Sequence, residues 1–119
     1  EDIYVTNAEL SFAGGSSMAE SLIERQIDGC FFVSDMQAIG AINRLNELGA
    51  SLPGDISVIG YDNLEICDFT VPSLTSIGQP ARRMGHETAS MLIKKIEGED
   101  TSDMRNIVFE PELVRRDSV

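Results

Sequence analysis

Short β-prone runs separated by stretches of helical period make up most of this chain, and that alternation narrows the fold more than any other feature. Strands joined through helical crossovers run parallel, because each helix carries the chain back to the sheet end it left. Ile3 to Val5 is expected as a strand. After a loop ending at Gly14 and Gly15, a helix is expected from about Ser17, with Ser17 and Glu20 at capping-box spacing and Ala19, Leu22 and Ile23 facing inward. Cys30 to Val33 has no polar alternation, the pattern of a central strand covered on both faces. Ser34-Asp35 ends it, and a helix follows with Ala38, Ile42, Leu45 and Leu48 on one face and Gly49 placed to stop it in the left-handed conformation. Pro53-Gly54-Asp55 turns the chain into a strand over Ile56 to Tyr61, which closes on Asp62-Asn63. The pattern predicts an α/β fold, a parallel sheet with helices on both faces.

Beyond that point the strand-and-helix rhythm breaks. Pro72 to Ile77 reads as an extended passage too short for a full βαβ unit, and it could connect subdomains. Pro80 suits the first turn of a helix carrying Ala81, Met84, Thr88, Ala89, Leu92, Ile93 and Ile96, with Lys94 and Lys95 near its end and Gly98 beyond it. Glu99 to Asn106 is expected as a solvated loop, with Ile107 to Phe109 and Leu113 to Arg115 as short strands around Pro111.

Composition excludes several function classes. The chain's 119 residues suit one domain with a real core, and no apolar run is long enough to span a membrane. Twenty acidic residues against nine basic ones give a formal charge of −11, which repels phosphate backbones, so no direct hold on DNA is expected. Cys30 and Cys67 lie far apart with no CxxC and no neighbouring histidine, and are expected to be buried structural thiols. Without a signal peptide and with a start inside an apparent strand, the sequence is expected to be a piece of something longer, working in the cytoplasm.

In open parallel sheets ligands bind beyond the carboxyl ends of the strands, where loops converge and helix N-termini offer N–H donors. Two strand ends here carry Ser34-Asp35 and Asp62-Asn63, pairs that combine acceptors with donors and suit a polyhydroxy or purine-like ligand. The same residue types also serve as helix caps, so Ser34 and Asp35 have two readings at this stage. Phe12, expected in the loop after the first strand, could stack on a ring or pack in the core. Met36, Ile39 and Ile42 form a second apolar stripe on their helix, which either broadens the core face or meets a neighbouring chain. His86 sits on a helix rich in polar residues and is expected as a surface or interface histidine, and no GxSxG, Walker loop or metal-ligand cluster occurs. No catalytic residue, metal or cofactor is expected; a pair of acid/base aspartates is the remote enzymatic alternative.

Four motifs stand in order: SDMQAIG at the helix start, LGASLPGDISVIGYDN through the turn and strand, PSLTSIGQ followed by MG, and PELVRRDS at the end. Together they resemble the C-terminal half of the LacI/GalR family of transcription regulators. The resemblance implies the C-terminal lobe of a type I periplasmic-binding-protein-like fold over residues 1–78, a helix over 79–98 that belongs in the family to the other lobe, and a loop and return strand over 99–119. The family's helix-turn-helix is absent, so operator DNA is expected only through a headpiece outside this sequence. Effector contacts are expected from Phe12, Ser34, Asp35 and Asp62, and a homodimer interface from Met36, Ile39, Phe69 and Val71. Ser34 and Asn63 depart from the commoner Asn and Asp of the family. The expected partner is a small effector, a sugar or a purine-like molecule, with a sugar-binding protein of an uptake system as the alternative.

Overall fold

The computed structural model describes residues 3–102 and 106–119, and residues 103–105 of the expected acidic loop lie outside the described residues. The chain divides into two compact units, one formed by Glu1–Gly78 with Leu113–Val119, the other by Gln79–Glu112.

In the first unit the elements are α1 (Phe12–Glu24), β1 (Gly29–Phe31), α2 (Asp35–Glu47), β2 (Ser57–Tyr61), a 3-10 turn (Glu65–Phe69) and β3 (Thr75–Gly78). With β4 (Glu112–Val114) they make a four-stranded sheet in the order β1-β2-β3-β4. β1 and β2 pair in parallel with Cys30 opposite Val58, and β2 and β3 pair in parallel with Gly60 opposite Ser76. The passage Pro72 to Ile77 therefore enters the sheet itself. Its crossover from β2 holds no α-helix, and the 3-10 turn supplies the length a parallel return needs.

Helix α1 begins earlier than the capping-box spacing suggests. Ser11 is its N-cap, its hydroxyl accepting from the Gly14 amide at 3.0 Å, whereas Ser17 lies inside the helix and donates to the Gly14 carbonyl. Gly14 and Gly15 are buried helical residues, the first against the Glu9 backbone and the second because α1 and α2 pack backbone to backbone. A Cβ on Gly15 would lie 1.8 Å from the Gln37 carbonyl oxygen, and one on Gly40 would lie 2.0 Å from that of Phe12. No side chain fits at either place. Arg44 on α2 reaches across to Glu20 on α1 at 2.7 Å.

The core gathers Ala19, Leu22, Ala38, Ile39, Ala41, Ile42, Leu45, Val58, Cys67 and Leu74. Ile39 is 4% exposed, so the expected interface residue is a core residue instead: α2 is buried along two sides, and the side that meets α1 carries Gln37 and Gly40. Met36 is half-buried, while Phe69 and Val71 are 77% and 79% exposed.

Two strand expectations fail at the margins. Ile3 to Val5 forms no strand: the segment is exposed and joins no ladder of the sheet. The segment runs beside β1 and leaves a cavity of about 590 Å³ lined by Tyr4, Met18, Leu22, Cys30 and Phe32 among others. β1, expected as a central strand, thus ends the sheet order, and its neighbour Val33 is 61% exposed. Ile107 to Phe109 is likewise not a strand.

In the second unit α3 spans Ala81–Ile96 with Pro80 as N-cap residue, and Gly98 follows at φ +81. None of its residues is buried, and Leu92, Ile93 and Ile96 are 59%, 55% and 76% exposed. His86 is exposed on the same helix, and Arg83 stacks over the Phe109 ring at 5.3 Å.

Candidate effector-binding strand tips

The sheet places the ends of β1 and β2 next to each other, and the loops that follow carry the polar residues singled out above. After β2 the chain takes two consecutive left-handed residues, Asp62 at φ 110 and Asn63 at φ 52. Asparagine tolerates that region, whereas an aspartate at 110° is held in a sparsely populated conformation that its surroundings must enforce. Those surroundings are hydrogen bonds. The Asp62 amide donates to the Ile77 carbonyl at 2.9 Å, and the Asn63 amide donates to Ser76 Oγ at 3.0 Å. The Asp62 residue is exposed at the strand tip.

Asp35 is the hub behind this turn. It is wholly buried; Ser76 Oγ donates to its Oδ1 at 2.6 Å and the Leu64 amide donates to its Oδ2 at 2.7 Å. It packs so closely over β2 that a Cβ on Gly60 would come within 2.2 Å of Oδ1. With both oxygens engaged internally and no accessible surface, Asp35 is an internal strut, and its expected role as an effector contact gives way to that of holding the turn. Ser34 is the N-cap of α2, its hydroxyl accepting from the Met36 amide at 3.3 Å, and it stays partly accessible. Phe12 is 39% exposed at the first turn of α1, where its carbonyl abuts Gly40, so it sits on a helix and not on a loop. The turn network thus ties Asp35 to Asn63 through Ser76 and to Leu64 directly, one and two residues after Asp62, with Ser34 next to Asp35 in sequence.

Sequence reasoning passed over the residues that complete the arrangement. Arg116 donates from Nη2 to Asn63 Oδ1 at 2.9 Å and from Nη1 to the Leu74 carbonyl at 2.9 Å, and its Nε pairs with Asp68. Ser118, wholly buried, accepts from the Thr75 amide and donates to the Val58 carbonyl, lacing β2 to β3. The closing RRDS motif carried the signal, but its partners stand 41 to 60 residues away along the chain.

Both thiols are pushed up to about 12 by burial; at Cys67 a hydrogen bond to Asp35 and the charge of Asp35 add to it. They are protonated at neutral pH and poor nucleophiles. Among the described residues no group of three His, Cys, Asp or Glu side chains could hold a metal ion.

The family model described as "Periplasmic binding protein-like domain" matches residues 2–119. The chain belongs to this family. It is 44% identical over 89 residues to the PurR repressor of Vibrio vulnificus, covering 75% of this chain and 26% of that protein. It is 31% identical over 120 residues to the CelR regulator of Thermobifida fusca, covering 99% of this chain and 35% of that protein. The Escherichia coli repressor AscG superposes with a TM-score of 0.86 at 36% identity, covering 96% of this chain and 41% of that one. A LacI-family regulator of Enterococcus faecium, solved with ribose, superposes with a TM-score of 0.81 at 30% identity, covering 93% and 41%. A CelR structure holds cellobiose. The resemblance to part of a LacI/GalR effector-binding domain is thereby shown, and the chain spans 26% to 35% of the length of the curated relatives named here.

Proposed function

We propose that this chain is the effector-sensing and pairing portion of a LacI-type transcription regulator, and that Asp62 is its principal effector contact. The observation that carries the reading is the enforced conformation of Asp62: an exposed aspartate at a strand's carboxyl end, held at φ 110 by a buried network beneath it. An acceptor fixed before the ligand arrives loses little entropy on binding, and it suits a sugar hydroxyl or a ring N–H. Ser34 and Phe12 are proposed as secondary contacts, one for hydrogen bonding and one for stacking. Relatives solved with cellobiose or ribose support a sugar effector, and the likeness to repressors favours a regulator over an uptake protein. Exposed Phe69 and Val71, with half-buried Met36, are the proposed pairing surface of a homodimer.

In this reading the protein is a cytoplasmic, non-catalytic switch. The effector prefers one arrangement of the whole sensor and changes how paired headpieces, outside this sequence, meet operator half-sites. The acidic surface supports DNA contact through such a headpiece only.

The experiment is a thermal-shift screen of mono- and disaccharides and purine bases, run on this chain and on the longer polypeptide that contains it, followed by calorimetry on Asp62→Ala. Binding should weaken at least a hundredfold while the unfolding midpoint stays within a few degrees. Wild-type affinity in the variant refutes the assignment of Asp62.

A further inference from the structure

The side chain of Asn63 lies between two stretches of backbone that have a common property: each adjoins a point where the chain passes between its two units. Gly78 is the last residue of the first unit before the chain leaves it, and the chain returns at Leu113, three residues ahead of Arg116. A Cβ on Gly78 would stand 3.2 Å from Asn63 Cβ and 3.4 Å from its Nδ2, while Asn63 Oδ1 accepts from Arg116 Nη2 at 2.9 Å.

We propose that Asn63 and Arg116 are positioning residues, a clamp that fixes the turn bearing Asp62 and ties it to both the outgoing and the returning segment. The proposal deepens the effector-site reading and rests on it for its functional meaning. Arg116 suits the task because its planar fork is satisfied on three sides at once, by Asn63, by the Leu74 carbonyl and by Asp68, and its side chain is only 13% exposed. Its amide is fixed as well, donating to Thr75 Oγ1 at 2.8 Å. On the other side Asp62 and Asn63 hang from β3 through Ile77 and Ser76, the two residues before Gly78. A shift of either segment therefore displaces the Asn63 side chain, and with it the backbone that aims Asp62. By linkage, a ligand that holds Asp62 in one position biases both segments.

The test needs no ligand. Amide exchange and φ-sensitive couplings are measured by NMR on the 119-residue chain and on Asn63→Ala, Asn63→Asp, Arg116→Gln and Gly78→Ala. Asn63→Ala and Arg116→Gln should speed exchange at the residue 63 amide at least tenfold while the Val58 and Phe32 amides keep their rates. Asn63→Asp should restore the native rate, because a carboxylate accepts the same guanidinium bond. Gly78→Ala should shift the Asp62 and residue 63 resonances, since a methyl at 3.2 Å must move its neighbour.

An acceleration below tenfold, or an equal acceleration at Val58, overturns the clamp. So does failure of Asn63→Asp to restore the rate, and a silent Gly78→Ala refutes the tie to the outgoing segment. Should Arg116→Gln not fold, the Ala and Asp pair at position 63 decides alone. Because effector plays no part, loss of the clamp leaves Asp62 to its own binding test, and failure there leaves the clamp standing.

Discussion

Replacing Asp35 by alanine removes the acceptor for the Leu64 amide and for Ser76 Oγ, both in the interior. Each of the two hydrogen bonds to a charged group contributes about 1.5–3 kcal/mol, and a buried donor left without its acceptor costs about 1–3 kcal/mol. Relief of the desolvated charge offsets part of the first figure, so a loss of about 3–5 kcal/mol is expected for Asp35→Ala. Such a loss is a third or more of the roughly 5–15 kcal/mol that holds a domain of this size. Asparagine behaves differently. Its Oδ1 can accept from Leu64 while Nδ2 donates to Ser76 Oγ, whose second lone pair still receives the Asn63 amide, so only the Ser76 hydroxyl hydrogen loses its acceptor. The loss is the helix N-terminal charge, one charge-assisted bond and the unpaired Ser76 hydroxyl hydrogen, about 2–3 kcal/mol, still below that of alanine. Urea unfolding followed by circular dichroism reads both values. Equal losses for the two variants, or less than 1 kcal/mol for alanine, would refute the view that acceptor geometry at Asp35 supports the turn.

Two further outcomes follow from packing and from burial. Gly15→Ala, whose methyl would fall 1.8 Å from the Gln37 carbonyl oxygen, should force α1 from α2 and destabilise the chain by about 1–3 kcal/mol or more. Gly85→Ala on α3, where nothing lies within 4 Å, should instead stabilise it by about 0.5–1 kcal/mol, a contrast that thermal melts resolve. The thiol pKa values of Cys30 and Cys67 rise from 9.0 to about 12 on folding, so the unfolded chain sheds these protons first as pH climbs. The contribution of these thiols to stability is constant below pH 9 and erodes between pH 9 and 12, by at most about 1.4 kcal/mol per pH unit for each thiol. Melts from pH 8 to 11 should decline less steeply in Cys67→Ala than in the native chain, and equal slopes would count against the burial argument.

The sequence alone determined what is written in local period and in turn chemistry. The span of α2, its Ser34 cap and its stop at Gly49, the strand running into Tyr61, and the helix after Pro80 all follow from residues within a few positions of each other. The resemblance added the family, and strand-tip logic pointed to Asp62. What pairs across the chain was decided only by the tertiary structure. Capping-box spacing at Ser17 lost to an earlier start at Ser11 and to backbone contact between α1 and α2, which needs glycine at positions 15 and 40. The apolar run at Cys30 lost its central place because Ile3 to Val5 does not pair beside it. Asp35 looked the same as a cap or a ligand contact until Ser76 and Leu64, 41 and 29 residues away, were seen to donate to its two oxygens. Periodicity records which face of an element is apolar; which buried polar atom finds which partner is fixed only when distant segments close around it.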